Sequence, residues 1–159
     1  MKHLTLAKKI TAAVTILFST LLISSCDNDD NDDFDDNTYA ISGNASGSQE
    51  VPAVTTAATA TLTGSYDADD NKLTYTINWT GLSGNISVAH FHGPALAGVN
   101  ASPIHDITIG TNGVSGTTTG TITVADSTEA HLLNGKIYYN LHTVANVNGE
   151  IRGQVTLTD

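Results

Sequence analysis

Residues 72–80, with the sequence KLTYTINWT, alternate large apolar side chains with small polar ones. Leu73, Tyr75, Ile77 and Trp79 take every second position, and threonine or asparagine lies between them. Successive side chains of a β-strand point to opposite faces of its sheet, so this pattern predicts a strand with one buried and one solvated face. The stretch therefore favours a sheet that covers a core on one side.

Similar short segments lie on both sides of this stretch, separated by Gly, Asn, Asp and Pro. We predict further strands at residues 39–46, 59–67, 85–92, 104–109, 117–124, 136–142 and 150–157, with a hairpin turn at 68–71. A short helix is expected at 127–134, because Asp126 and Glu129 have capping-box spacing and Gly135 can end it. The fold class is therefore all-β: an antiparallel, Greek-key-type β-sandwich of about eight strands with one short helix.

The charge balance excludes one class of partner. The chain has 6 Lys and Arg against 16 Asp and Glu, which gives a formal net charge of −10. Nucleic-acid binding requires a basic surface to neutralise phosphates, so we expect no nucleic-acid partner.

The first 25 residues have the order of a secretory signal peptide, with lysines followed by an apolar stretch. The stretch ends in LISSC at residues 22–26, which resembles the lipobox of bacterial lipoproteins. The resemblance implies that Cys26 becomes the first residue and carries the lipid. The alternative is an ordinary signal peptide followed by a free cysteine.

Residues 26–37 then form an acidic linker, which contains seven aspartates and little apolar surface. We expect it to be solvated, because like charges repel. An acidic run after the lipidated cysteine resembles the surface-export signal of Bacteroidetes lipoproteins; a plain spacer, or a tract that attracts calcium weakly, is the alternative. The expected location is the outer membrane, surface-exposed or else periplasm-facing, with membrane contact through the lipid anchor only.

Four blocks in residues 38–159 resemble the CHRD domain, named after chordin. They are SG at 42–43 with QEVP at 49–52, AHFHGP at 89–94, YYNLHT at 138–143 and NGEIRGQ at 148–154. The resemblance implies a β-sandwich, immunoglobulin-like or Cu/Zn-superoxide-dismutase-like. Family members are secreted or exported, and in bacteria their role is mostly undefined, so the resemblance implies no activity.

Three histidines form a candidate metal site. His90 and His92 are two residues apart on one predicted strand and His142 lies on another, a pattern similar to the copper ligands of Cu/Zn superoxide dismutases. Three imidazoles suit copper or zinc. However, His142 falls on the opposite face of its strand unless a β-bulge shifts the phase. Asp106 offers at most one extra ligand, and structural hydrogen bonding is the alternative role of the histidines.

A structural polar network is predicted to join Asn140, Glu150 and Arg152 of the last two predicted strands to Glu50 of the QEVP block. We expect Arg152 to pair with a carboxylate, from Glu50 or Glu150, and so to fix the register of the terminal strand. No catalytic residues are predicted. The first functional hypothesis is a non-catalytic cell-surface module with a protein or glycan partner or a structural role. The second is a copper or zinc binding protein, and a superoxide dismutase is the least favoured class.

Overall fold

The computed structural model describes residues 37–110 and 112–158, so the predicted signal peptide, the predicted lipid attachment at Cys26 and the predicted linker up to residue 36 lie outside the described residues. The strands are β1 Thr38–Ser46, β2 Thr59–Asp67, β3 Lys72–Thr80, β4 Ile86–His92, β5 Pro103–Asp106, β6 Gly116–Thr123, β7 Tyr138–Thr143, β8 Ile151–Gln154 and β9 Thr156–Thr158. A 3-10 turn spans Gly47–Gln49, and helix α1 spans Asp126–Leu133.

The prediction of an all-β antiparallel fold is confirmed. The strands form one sheet in the order β5-β4-β7-β8-β1-β2-β3-β6, and β9 adds to β1. Although β3 and β4 are far apart in this order, Tyr75 of β3 packs edge-on against Phe91 of β4, with ring centroids 5.2 Å apart. The sheet therefore curls until its two halves face each other across a common core.

The core follows the period-two pattern of the sequence. Tyr66, Leu73 and Ile77 are at most 2% exposed on the first half of the sheet, and Tyr139 and Leu141 are fully buried on the second. Burial of such side chains removes apolar surface from water at roughly 25 cal/mol per Å². This one core fixes which face of each strand points inward.

Three details differ from the sequence prediction. The predicted strand at 150–157 is broken at Val155, whose amide donates to the carbonyl of Ile137. β5 is shorter than expected. The capping box is wrong: α1 begins at Asp126 itself, Ala125 precedes it without a side-chain cap, and the Glu129 carboxylate accepts from the Tyr66 hydroxyl. The carboxylates of Asp126 and Glu129 therefore accept hydrogen bonds from residues distant in the sequence and do not cap the helix.

Within the described residues, no helix is long and apolar enough to cross a membrane.

Candidate metal centre

A β-bulge near the start of β4 decides where the histidines point. The pairing of β4 with β7 shifts between Ile86 and Val88, so that Val88 lies opposite His142 and His90 opposite Asn140. Ile86 is 4% exposed in the core, whereas Val88 is 40% exposed on the other face. Because directly paired residues share a face, the bulge removes the phase conflict that the sequence raised.

The three predicted ligands come together on that second face. His90, His92 and His142 each offer a ring nitrogen, and these nitrogens lie within 4.8 Å of one another. His90 Nδ1 and His142 Nε2 are 3.3 Å apart. Two nitrogens bound to one tetrahedral ion at about 2.05 Å each would lie about 3.3 Å apart, so this pair already has the spacing of a metal-bound pair.

The opposite nitrogen of each ring faces an acceptor. His92 Nδ1 lies 3.0 Å from the carbonyl oxygen of Ala101, and His142 Nδ1 lies 3.0 Å from that of Val147. His90 Nε2 lies 3.5 Å from the Asp106 carboxylate. A carbonyl oxygen accepts a hydrogen bond from a protonated ring nitrogen, so Nδ1 carries the proton in His92 and His142 and each Nε2 keeps its lone pair. Metal-bound histidines usually have such outer partners.

Burial keeps two of the imidazoles neutral. His92 and His142 are 6% and 7% exposed. Burial lowers the pKa of His92, and neighbouring His90, His142 and Arg152 lower it further. Burial also lowers the pKa of His142, with a smaller effect of His90. Neutral imidazole is the form that binds metals, so His92 and His142 need to release little or no proton on binding a metal at neutral pH.

The CHRD domain family model matches residues 41–155, which include all three histidines and the whole of strands β2 to β8. The chain belongs to the CHRD domain family. No curated protein and no solved structure matches it significantly.

In this CHRD domain the histidine face of β4, β7 and β8 is itself covered. Gln154 donates to the carbonyl of Ala95, and Asn100 donates to that of Val51, so residues 93–102 lie across it. Between β7 and β8, Tyr138 lies opposite Gln154 and Asn140 lies opposite Arg152. The sheet therefore has an apolar buried face and a polar buried face.

Arg152 does not form the ion pair that the sequence predicted. Within the described part of the chain, its guanidinium pairs with neither Glu50 nor Glu150. It donates instead to the carbonyl oxygens of Val99 at 2.9 Å and Leu96 at 3.3 Å, and to Asn100 Oδ1. A planar guanidinium has five N–H donors, so it can donate to several loop acceptors at once when no carboxylate occupies those donors.

Glu50 is buried with few partners. Its Oε2 accepts one long hydrogen bond of 3.4 Å from Asn140, while Glu50 Oε1 and Asn140 Oδ1 are buried with no hydrogen-bond partner. Burial raises the pKa of Glu50 to about 7, although the charge of Arg152 opposes the rise. His92 Nε2 is the third buried atom without a partner. All three lie near the polar face.

Glu150 is buried with many partners, and they come from outside the predicted network. Its carboxylate accepts from the amide and hydroxyl of Ser83, at 2.8 and 2.5 Å, and from Thr143, Thr56 and Asn146. Burial alone would raise the pKa of Glu150, but these hydrogen bonds together lower it. The residues of the predicted network thus fall into two separate clusters, one with Glu50, Asn140 and Arg152 and the other around Glu150.

Sequence reasoning missed two parts of this centre. The carbonyls of Ala101 and Val147, which orient two of the rings, belong to loops whose path no local pattern reveals. Tyr138 was noted only as part of the YYNLHT block, yet its ring stacks on His92, with centroids 4.7 Å apart. The bulge was named only as the condition under which His142 could share a face with His90 and His92. Asp106 was considered as a ligand and lies instead against the outer nitrogen of His90.

Proposed function

We propose that this CHRD domain is a non-catalytic module that binds one copper or zinc ion through His90, His92 and His142. The observation that carries the proposal is the buried, unpartnered Nε2 of His92, which faces two other ring nitrogens. Leaving a polar atom buried without a partner costs about 1–3 kcal/mol, and a bound ion would remove that cost.

The donor set supports copper or zinc over other ions. Imidazole nitrogen suits these two metals, whereas calcium and magnesium require oxygen ligands. Three protein ligands leave a fourth position open on a tetrahedral ion, as in sites that bind a water or a partner group. We propose binding and not turnover, because no further residue is assigned to a reaction.

The test is metal analysis of the full chain, purified without a histidine tag and incubated with copper or zinc. We expect one ion per chain, with affinity reduced on the order of 100-fold in His92→Ala and in His142→Ala. His131→Ala is the matched control, since His131 lies on helix α1, and it should bind like the wild type. A wild-type chain that takes up no ion in excess metal contradicts the proposal.

We propose further that the domain is carried by an exported lipoprotein. The support is the sequence alone: the lysines and apolar stretch of residues 1–25, the LISSC ending and the acidic residues after Cys26. A lipid at Cys26 would hold the domain at the outer membrane with no contact of its own acidic surface with the bilayer. Binding of a protein or glycan partner stays a prediction.

Mass spectrometry of the mature chain tests this second proposal. We expect an acylated residue at Cys26 and no modification in Cys26→Ser, which should also leave the membrane fraction. Protease treatment of intact cells then tests the side of the membrane, and replacement of the aspartates at 27–36 by asparagine tests the export signal. An unmodified cysteine in the wild type contradicts the lipoprotein assignment.

A further inference from the structure

One histidine of the centre belongs to a stack of three side chains. The Tyr138 ring lies nearly parallel to the His92 ring, at an interplanar angle of 7° and a centroid distance of 4.7 Å. The central carbon of the Arg152 guanidinium lies 3.4 Å from the centroid of Tyr138. Because β7 lies between β4 and β8, Tyr138 is flanked by His92 from one neighbouring strand and by Arg152 from the other.

The charge in this stack is buried and has no paired carboxylate. Arg152 is 1% exposed and donates to neutral acceptors. Burial lowers the pKa of Arg152, but a guanidinium has an ordinary pKa above 12 and stays charged at neutral pH. Burial raises the pKa of the nearby Glu50 to about 7, so its carboxyl group is partly protonated at neutral pH. A cation in such a setting is weakly screened.

The ligand set adds no negative charge. All three ligands are imidazoles, and no carboxylate or thiolate joins the cluster among the described residues. The carboxylate nearest to a ligand is that of Asp106, and its side chain is 90% exposed, so water screens it. Cu(II) prefers four or more ligands in tetragonal geometry, which three histidines on two strands do not supply.

Resting on the proposed metal site, we infer that this site prefers monovalent copper, Cu(I), to Cu(II), and that the Arg152–Tyr138–His92 stack sets that preference. A nearby positive charge opposes a divalent ion about twice as strongly as a monovalent one. Net charge, burial and outer contacts are the features by which proteins set the potential of a metal. Arg152 is a positioning residue here, since it acts through Tyr138 and touches no ligand nitrogen.

The test compares the dissociation constants of Cu(I) and Cu(II) on the full chain, by competition with chelators selective for each oxidation state. We expect the wild type to bind one Cu(I) more tightly than Cu(II). In Arg152→Gln the ratio should shift toward Cu(II) about tenfold, the effect of one charge roughly 10 Å away at an effective dielectric constant near 20. The reduction potential of the copper should fall in parallel.

Two variants separate charge from structure. Arg152→Lys keeps the charge and should keep most of the Cu(I) preference. Lys72→Gln removes an exposed cation on the β2–β3 hairpin and should change nothing. Circular dichroism checks that each variant is folded. If Arg152→Gln does not fold, the ratio of the Cu(I) and Cu(II) dissociation constants of the wild type still tests the inference.

The outcomes are distinguishable. A chain that binds one copper but prefers Cu(II) overturns the inference and leaves the proposed metal site intact. A chain that binds copper in neither state overturns both. If folded Arg152→Gln keeps the wild-type ratio, the role of the stack is wrong.

Discussion

Glu50 and Glu150 are two buried glutamates of one domain, at 6% and 0% exposure, and their surroundings differ in the number of donors. Glu150 accepts five hydrogen bonds from four residues. Glu50 accepts one long side-chain bond from Asn140, and its other oxygen has no partner. The pKa of Glu150 is accordingly below its ordinary value, whereas that of Glu50 is raised to about 7.

The difference separates a structural cluster from the region of the proposed metal site. A carboxylate that many donors satisfy is stabilised as an anion, and around Glu150 it ties residues of separate loops together. The region of Glu50, Asn140 and His92 keeps polar atoms buried without partners. Native proteins rarely tolerate such atoms without a reason, and a site that receives a ligand is one.

The largest effect is expected when the satisfied carboxylate is changed. Glu150→Gln should lower the free energy of unfolding by about 3 kcal/mol, because the amide nitrogen meets donors where acceptors are needed. Denaturant unfolding at pH 7 measures this. The folded-state pKa of Glu150 is lowered, so its contribution is present above the unfolded pKa near 4.5 and is lost as pH falls through the folded pKa. Equal stability of Glu150→Gln and the wild type would contradict the claim that the hydrogen bonds of the Glu150 carboxylate stabilise the fold.

The same substitution at Glu50 should act in the opposite direction. The raised pKa means that the folded chain holds a proton that the unfolded chain lacks between pH 4.5 and about 7. Wild-type stability therefore falls as pH rises through this window. Glu50→Gln removes that loss and should stabilise the metal-free protein by about 2 kcal/mol at pH 8, with little change at pH 4. Destabilisation at pH 8 would contradict the assignment of Glu50 as unsatisfied.

The smallest effect is expected from removal of one donor in the satisfied cluster. Ser83→Ala deletes one hydroxyl but keeps the backbone amide of residue 83 and the other donors on Glu150. We expect a loss of about 1 kcal/mol in thermal or denaturant unfolding. Ser48→Ala is a matched control, since Ser48 bonds only the exposed Ser46 hydroxyl. A loss as large as that of Glu150→Gln would show that Ser83 alone holds the carboxylate.

Much of the fold could be predicted from the sequence. Residues 72–80 form β3 as predicted, and residues 59–67 pair with it across the expected turn, where Asp67 accepts from the amides of Asp69 and Asp70. These features depend on contacts between near neighbours in the chain. The position of the bulge in β4 could not be predicted, because it is set by the pairing of β4 with the distant strand β7 and no residue type marks it.

The sequence by itself determined the strands, the antiparallel sheet, the CHRD family and the three histidines, since period-two patterning and short motifs are local properties of a chain. Only the tertiary structure decided that His90, His92 and His142 share one face, that Arg152 binds loop carbonyls in place of a carboxylate, and that Glu50 and Glu150 have different surroundings. The physical reason is that burial and hydrogen-bond satisfaction depend on groups brought together from distant positions, such as Ser83 and Glu150, which no local pattern specifies.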